Sequence, residues 1–130
     1  MLQPDVPAWF EIPVTDIDRA QRFYEALLGV TMKRGRYIGR TDQAVFPNGG
    51  PDHASGALVQ ADAERAPSQR SGTVVYLSVR DIRPLLERVT ALGGEVLLPL
   101  TAITDTPVVV GHIRDSEGNR VGLASIETAA

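Results

Sequence analysis

EIPVTDIDRAQRFYEALLGV, residues 11–30, contains a strand, a helix start and a helix stop within twenty residues. Phe10, Ile12 and Val14 alternate with Glu11 and Pro13, the two-residue period of a strand with one buried face. Asp16 is then placed to cap a helix. Behind it, Ala20, Phe23, Tyr24, Leu27 and Leu28 recur at helical spacing until Gly29, a residue suited to the left-handed turn that ends helices.

The stretch has a second copy. YLSVRDIRPLLERVTALGG, residues 76–94, repeats the order: Val75, Leu77 and Val79 alternate, Asp81 is placed to cap, Ile82, Leu85, Leu86, Val89 and Leu92 form the stripe, and Gly93-Gly94 stops it. Pro84 is tolerated in a first helical turn, where no N–H is needed. Val14 and Val79, Asp16 and Asp81, Ile17 and Ile82, Leu27 and Leu92, Gly29 and Gly94 are all 65 residues apart, as are Leu58 and Leu123. A fixed internal period means that one supersecondary unit occurs twice.

In each copy three further strands follow the helix. They are expected near 30–38, 41–47 and 55–60, then near 94–98, 107–114 and 120–126, with Asp115-Ser116-Glu117-Gly118-Asn119 as a hairpin loop. The spacing therefore predicts an α+β fold of two βαβββ repeats. They are expected to form one curved eight-stranded mixed sheet with both helices on its convex face. Repeat 1 covers about 6–60, a polar linker 61–71 and repeat 2 72–126, all within one domain spanning 1–130.

Composition narrows the function classes. The chain has 130 residues, 43% hydrophobic and 22% charged, which suits one folded globular domain. Thirteen Lys and Arg are scattered in a chain of net charge −3, so no basic patch invites nucleic acid. Aliphatic runs such as Val108-Val109-Val110 are far shorter than the ~20 residues of a membrane helix. MLQPDVPAWF lacks the charged-then-apolar pattern of a signal peptide. No membrane partner and a cytoplasmic location are the expectation. The absence of cysteine excludes thiol catalysis and thiolate metal sites.

Three quoted segments, EIPVTDIDRAQRFYEALLGV, YLSVRDIRPLLERVTALGG and the late RDSEGNRVGL (114–123), together resemble the vicinal oxygen chelate superfamily, the glyoxalase, bleomycin-resistance and dioxygenase group. The resemblance extends over essentially the whole chain. In metal-using relatives, each repeat supplies a His from its first strand and a Glu from its last. Matched motif by motif, these positions are Trp9, Val74, Ala57 and Gly122, none of which carries a metal-binding side chain. The resemblance thus implies a small-molecule protein that has no metal and no other cofactor, and the drug-sequestering members imply a homodimer. Metal-dependent glyoxalase or dioxygenase chemistry is the less favoured alternative, because a metal would need an atypical set built on Glu11, His112 or His53.

Strand parity names the cavity lining. With Phe10, Ile12 and Val14 toward the helices, Trp9, Glu11 and Pro13 face the other way, as do Val74, Tyr76 and Ser78. A five-residue loop at 115–119 pairs Arg114 with Arg120, Ile113 with Val121 and His112 with Gly122, turning His112 and Arg120 into the same space. Trp9, Glu11, Tyr76, His112 and Arg120, with apolar Ala57, Val74 and Val110 beside them, are the candidate ligand-binding set. Trp9 offers a stacking surface, and Arg120 offers a partner for a carboxylate or carbonyl.

Glu11 or His112 as general base on a C–H beside a carbonyl, with Arg120 facing the oxyanion, is the alternative reading, a metal-free lyase or isomerase. Each residue also has a structural alternative: Glu11 paired with Arg120 or reaching solvent, His112 hydrogen-bonded within the sheet, Trp9 in plain packing, and His53 simply exposed in its Gly/Pro-rich loop.

Overall fold

A computed structural model of the chain describes residues 9–36, 42–47, 55–63 and 65–127. The order is β1 (Trp9–Val14), α1 (Ile17–Leu28), β2 (Lys33–Gly35), β3 (Gln43–Val45), β4 (Ser55–Gln60), β5 (Tyr76–Ser78), α2 (Ile82–Arg88), β6 (Glu95–Ala102), β7 (Val108–Arg114) and β8 (Arg120–Ile126). The two βαβββ units are present as the 65-residue period predicts.

The strands form two four-stranded sheets, ordered β1-β4-β3-β2 and β5-β8-β7-β6. This departs from the single eight-stranded sheet expected from the sequence. Within each unit the first strand runs parallel to the last, Glu11 opposite Ala57 and Tyr76 opposite Gly122, and the remaining pairs are antiparallel. Across the seam between the units the links are made largely by side chains. Asn119 Nδ2 donates to the Pro13 carbonyl at 2.7 Å, and Arg88 Nη2 to the Leu27 carbonyl at 2.9 Å.

Helix α1 matches its expected limits. The Asp16 side chain accepts from the Arg19 N–H, and Gly29 closes the helix at φ 67, the left-handed region that costs glycine nothing. Helix α2 is shorter than its apolar stripe: α geometry ends at Arg88, and Val89–Gly93 continue as turns, with the Leu92 N–H reaching Arg88 and Val89 carbonyls. Two β-branched residues, Val89 and Thr90, fall at that point. Strands β2, β3 and β5 are also shorter than expected, and β6 is longer because its irregular pairing with β7, shifted at Leu98, continues to Ala102.

The core lies between the sheets and the helices. Ile12 and Val14 of β1, Leu58 of β4, Leu77 of β5, and Val121 and Leu123 of β8 meet Phe23, Tyr24 and Leu27 of α1 and Ile82 and Leu85 of α2. Phe23 and Tyr24 pack edge to face at 5.1 Å, and Tyr24 and Phe46 at 5.6 Å. Burying these apolar side chains, about 1.5–3 kcal/mol each, is the main force holding the helices to the sheets. The alternate strand residues, including Trp9, Glu11, Tyr76, His112 and Arg120, are thereby turned to the helix-free face.

The 115–119 loop clasps the first unit. Asp115, fully buried, accepts the Tyr24 hydroxyl at 2.7 Å, the Glu117 and Asn119 N–H groups, and Asn119 Nδ2. Glu117 accepts from the Asp16 N–H and receives the Arg19 guanidinium at 2.7 and 2.9 Å. Burial works to raise the Glu117 carboxyl, but hydrogen bonds from Arg19, the Asp16 N–H and Ser116 outweigh it and hold the group below the usual carboxylate range.

Candidate functional site

The five residues read from strand parity all lie on the helix-free face, but they divide into two groups. In the first, Trp9 Nε1 donates to Glu11 Oε2 at 3.4 Å, and Arg65 Nη1 donates to Glu11 Oε1 at 2.5 Å. Arg65 belongs to the linker, where its guanidinium also binds Asp62 at 3.1 Å and its backbone N–H is capped by the same Asp62 side chain. Arg120 is thus not the partner of Glu11. The linker residue takes that place, because the chain after β4 folds back across β1.

In the second group His112 stands between Tyr76 and Arg120. Its Nε2 lies 2.5 Å from the Tyr76 hydroxyl, the rings meet edge-on at 5.2 Å, and its Nδ1 lies 2.9 Å from Arg120 Nη1. Burial, with the adjacent Arg120 charge, holds the imidazole below its ordinary pKa. Arg120 is fixed from the linker side: its Nε donates to the Gln69 carbonyl at 3.0 Å and its N–H to the Ser68 carbonyl at 3.0 Å. Local sequence produces the triad. The 115–119 hairpin pairs His112 with Gly122 as expected, and β5 lies beside β8, so Tyr76 is the next neighbour across.

Gly122 makes room for the tyrosine. A Cβ there would stand 2.3 Å from Tyr76 Cδ2, so the ring lies directly over the glycine. The phenol occupies the space where the resemblance places an acid ligand. Ala57, fully buried, stands opposite Glu11, Trp9 is 37% exposed and Val74 is half-buried. Indole, isopropyl, methyl and hydrogen offer no donor to a divalent ion, which needs imidazole, carboxylate or thiolate at about 2.0–2.3 Å. Among the described residues no three His, Asp or Glu side chains gather into a metal-sized cluster. The residues present do not fit the family's metal. His53 lies outside the described residues.

The two groups are joined beneath the linker. A cavity of about 240 Å³ at the seam is lined by Glu11 and Pro13 on one side, Asn119 and Arg120 on the other, and Ser68 and Thr73 above. Trp9 and Tyr76, the latter 48% exposed, offer their rings to solvent on the same face. A larger cavity of about 590 Å³ lies on the core side of the seam, between Phe10, Leu28 and Phe46 of the first unit and Leu77, Val79 and Leu85 of the second, with Arg80 and Asp81 among its lining. Sequence reading missed it, because its residues belong to the apolar stripes that also build the core. Arg65 was missed as well; its only sequence signal is a cation in a polar linker.

The chain is similar to known proteins over most of its length. The sequence profile described as Glyoxalase/Bleomycin resistance protein/Dioxygenase superfamily matches residues 7–123. CFP32 of Mycobacterium bovis, a protein that carries a glyoxylase name, is 30% identical over 125 residues, 90% of this chain; the chain spans 44% of that relative's length. A glyoxylase-like domain-containing protein of Didymella fabae is 29% identical over 84% of each chain. Among solved structures, a glyoxalase-related enzyme from Fulvimarina pelagi superimposes with a TM-score of 0.65 at 18% identity, covering 92% of this chain and 86% of that one. No helix among the described residues is long and apolar enough to cross a membrane.

Proposed function

Because the chain belongs to the Glyoxalase/Bleomycin resistance protein/Dioxygenase superfamily, we propose that it is a metal-independent small-molecule binding protein whose ligand sits on the helix-free face at the seam. The observation that carries this reading is the placement of Tyr76 over Gly122: a hydrogen-bonding phenol fills the space that an acid ligand would need. Around it are an aromatic surface at Trp9, a hydrogen-bonding array at Tyr76, His112 and Arg120, and an ion-paired acid at Glu11. A few convergent polar groups beside aromatic surface are how small-molecule sites are built.

The general-base alternative has less support. Glu11 is engaged by Arg65 and Trp9, and His112 has both ring nitrogens occupied. A base must bring a lone pair to the proton it removes: neither ring nitrogen of His112 has one to spare, and the lone pairs that Glu11 keeps stand beside the Arg65 cation. We also propose a cytoplasmic homodimer as the working form, two-fold pairing being the commonest assembly of soluble proteins; sedimentation equilibrium that returns one chain's mass would refute the dimer.

The test is a thermal-shift screen of protein purified without chelators against metabolites and antibiotics, with metal content measured in parallel. A ligand that binds only the folded chain raises its melting temperature. The expected result is a hit that quenches Trp9, the chain's single tryptophan, with under about one-tenth equivalent of transition metal. Stoichiometric metal, or a screen with no hit, would refute the reading.

A further inference from the structure

We propose that Tyr76, His112 and Arg120 hold their protons in one fixed order that leaves the Tyr76 hydroxyl hydrogen free for a ligand, so that the site selects molecules presenting an anionic oxygen. The inference rests on the small-molecule reading of this face and adds the ligand class to it.

The order follows from which atoms are able to donate. A guanidinium nitrogen has hydrogens and no lone pair to offer. Arg120 Nη1, 2.9 Å from His112 Nδ1, is therefore the donor, and Nδ1 carries the lone pair. A neutral imidazole with a bare Nδ1 has its hydrogen on Nε2. Nε2 lies 2.5 Å from the Tyr76 oxygen, so the imidazole donates and the phenol accepts. The opposite order, with Tyr76 donating to Nε2, would put an Nδ1 hydrogen against an Arg120 hydrogen. A doubly protonated imidazole fails for the same reason.

The phenol oxygen, already accepting, is left with its O–H to give. Tyr76 is 48% exposed, so that hydrogen is open to an incoming molecule. The polarity is reinforced along the chain, because the Arg120 cation polarises the imidazole and the imidazole polarises the phenol. An acceptor oxygen completes the series, an anionic one most strongly because the bond is then charge-assisted, whereas an ammonium or amidinium places a donor against a donor. His112 and Arg120 are positioning residues here, and Tyr76 is the residue that touches the ligand.

The proton order is read without any ligand, by nitrogen NMR of the full chain with ring-labelled histidine, its two histidines being distinguished by His112→Gln. At pH 7.5 His112 is expected as the Nε2-protonated tautomer, and Arg120→Met is expected to release it into a mixture. An Nδ1-protonated ring in the native chain overturns the proposal.

The ligand class is read with benzoate and benzamidine, two flat probes of opposite charge, titrated against Trp9 fluorescence and the His112 ring signals. Benzoate is expected to bind, and Tyr76→Phe to weaken it roughly tenfold or more, while benzamidine shows no dependence on Tyr76. Benzoate affinity unchanged in Tyr76→Phe, or no benzoate binding while the wider screen finds another ligand, overturns the inference and leaves the binding reading standing. An empty screen removes both.

Discussion

The hydroxyl of Tyr24 donates to Asp115 Oδ2 at 2.7 Å, joining residues 91 positions apart inside the core. Burial, then the charge of Asp115, pushes the phenol well above its usual pKa, so it remains a donor at any ordinary pH. The carboxylate in turn organises the 115–119 loop from within. Through this pair the last hairpin and the first helix support each other.

Tyr24→Phe removes one donor from a buried carboxylate and keeps the ring packing. A loss of about 1–3 kcal/mol is expected, since a buried acceptor loses a partner that water does not replace. Urea denaturation with an unchanged m-value is the check; wild-type stability would show that the N–H donors of the loop are enough for Asp115.

Gly94→Ala and Gly122→Ala should behave differently although both crowd a neighbour. At Gly94 the new Cβ meets the Arg114 carbonyl at 2.5 Å, and backbone does not yield cheaply, so about 1–3 kcal/mol or more is expected to be lost. At Gly122 it meets a half-exposed ring that can swing away. The smaller loss of stability there should come with loss of the Tyr76–His112 hydrogen bond, visible in the His112 ring nitrogen shifts.

His112 gives a pH dependence with a definite sign. Its folded pKa lies below the ordinary value of about 6.5, so the unfolded chain binds the proton more readily. The unfolded state therefore gains relative to the folded one as pH falls, and stability declines from about pH 6.5 downward through the folded pKa. Comparing wild type with His112→Gln between pH 8 and 5 isolates the effect; a variant that loses as much on acidification as wild type excludes His112 as its source.

Arg65→Met should loosen the linker with little cost in global stability, because the ion pair with Glu11 is partly exposed and such pairs contribute little. Faster hydrogen exchange at the amides of residues 61–72 is expected, together with a change in Trp9 emission as Glu11 is released. Unaltered exchange would mean that the bonds of Ser68 and Gln69 to Asn119 and Arg120 are enough to hold the linker.

What was legible in the sequence is what repeats with a period. The 65-residue offset located both units, strand alternation put Trp9, Glu11, Tyr76, His112 and Arg120 on one face, and the five-residue loop set the β7–β8 register down to His112 opposite Gly122. What depends on where an aperiodic segment lies was not legible. The linker took Glu11 through Arg65 and held Arg120 by two carbonyls, so a set expected as one cluster is two. Nor does alternation state whether two edge strands will pair: β1 and β5 each bond inward, and the seam is spanned by side chains such as Asn119.

Glu11 and Tyr76 occupy the same place in the two repeats, each opposite a small residue of the last strand of its unit, Ala57 and Gly122. An internal duplication with both copies intact would give this face a two-fold axis and let a guest enter either way round. Here one half presents an acid already neutralised by a cation and the other a phenol with a hydrogen to give. On the proton order proposed above the face has a head and a tail, and a guest bearing its charge at one end would have a single orientation in which to lie.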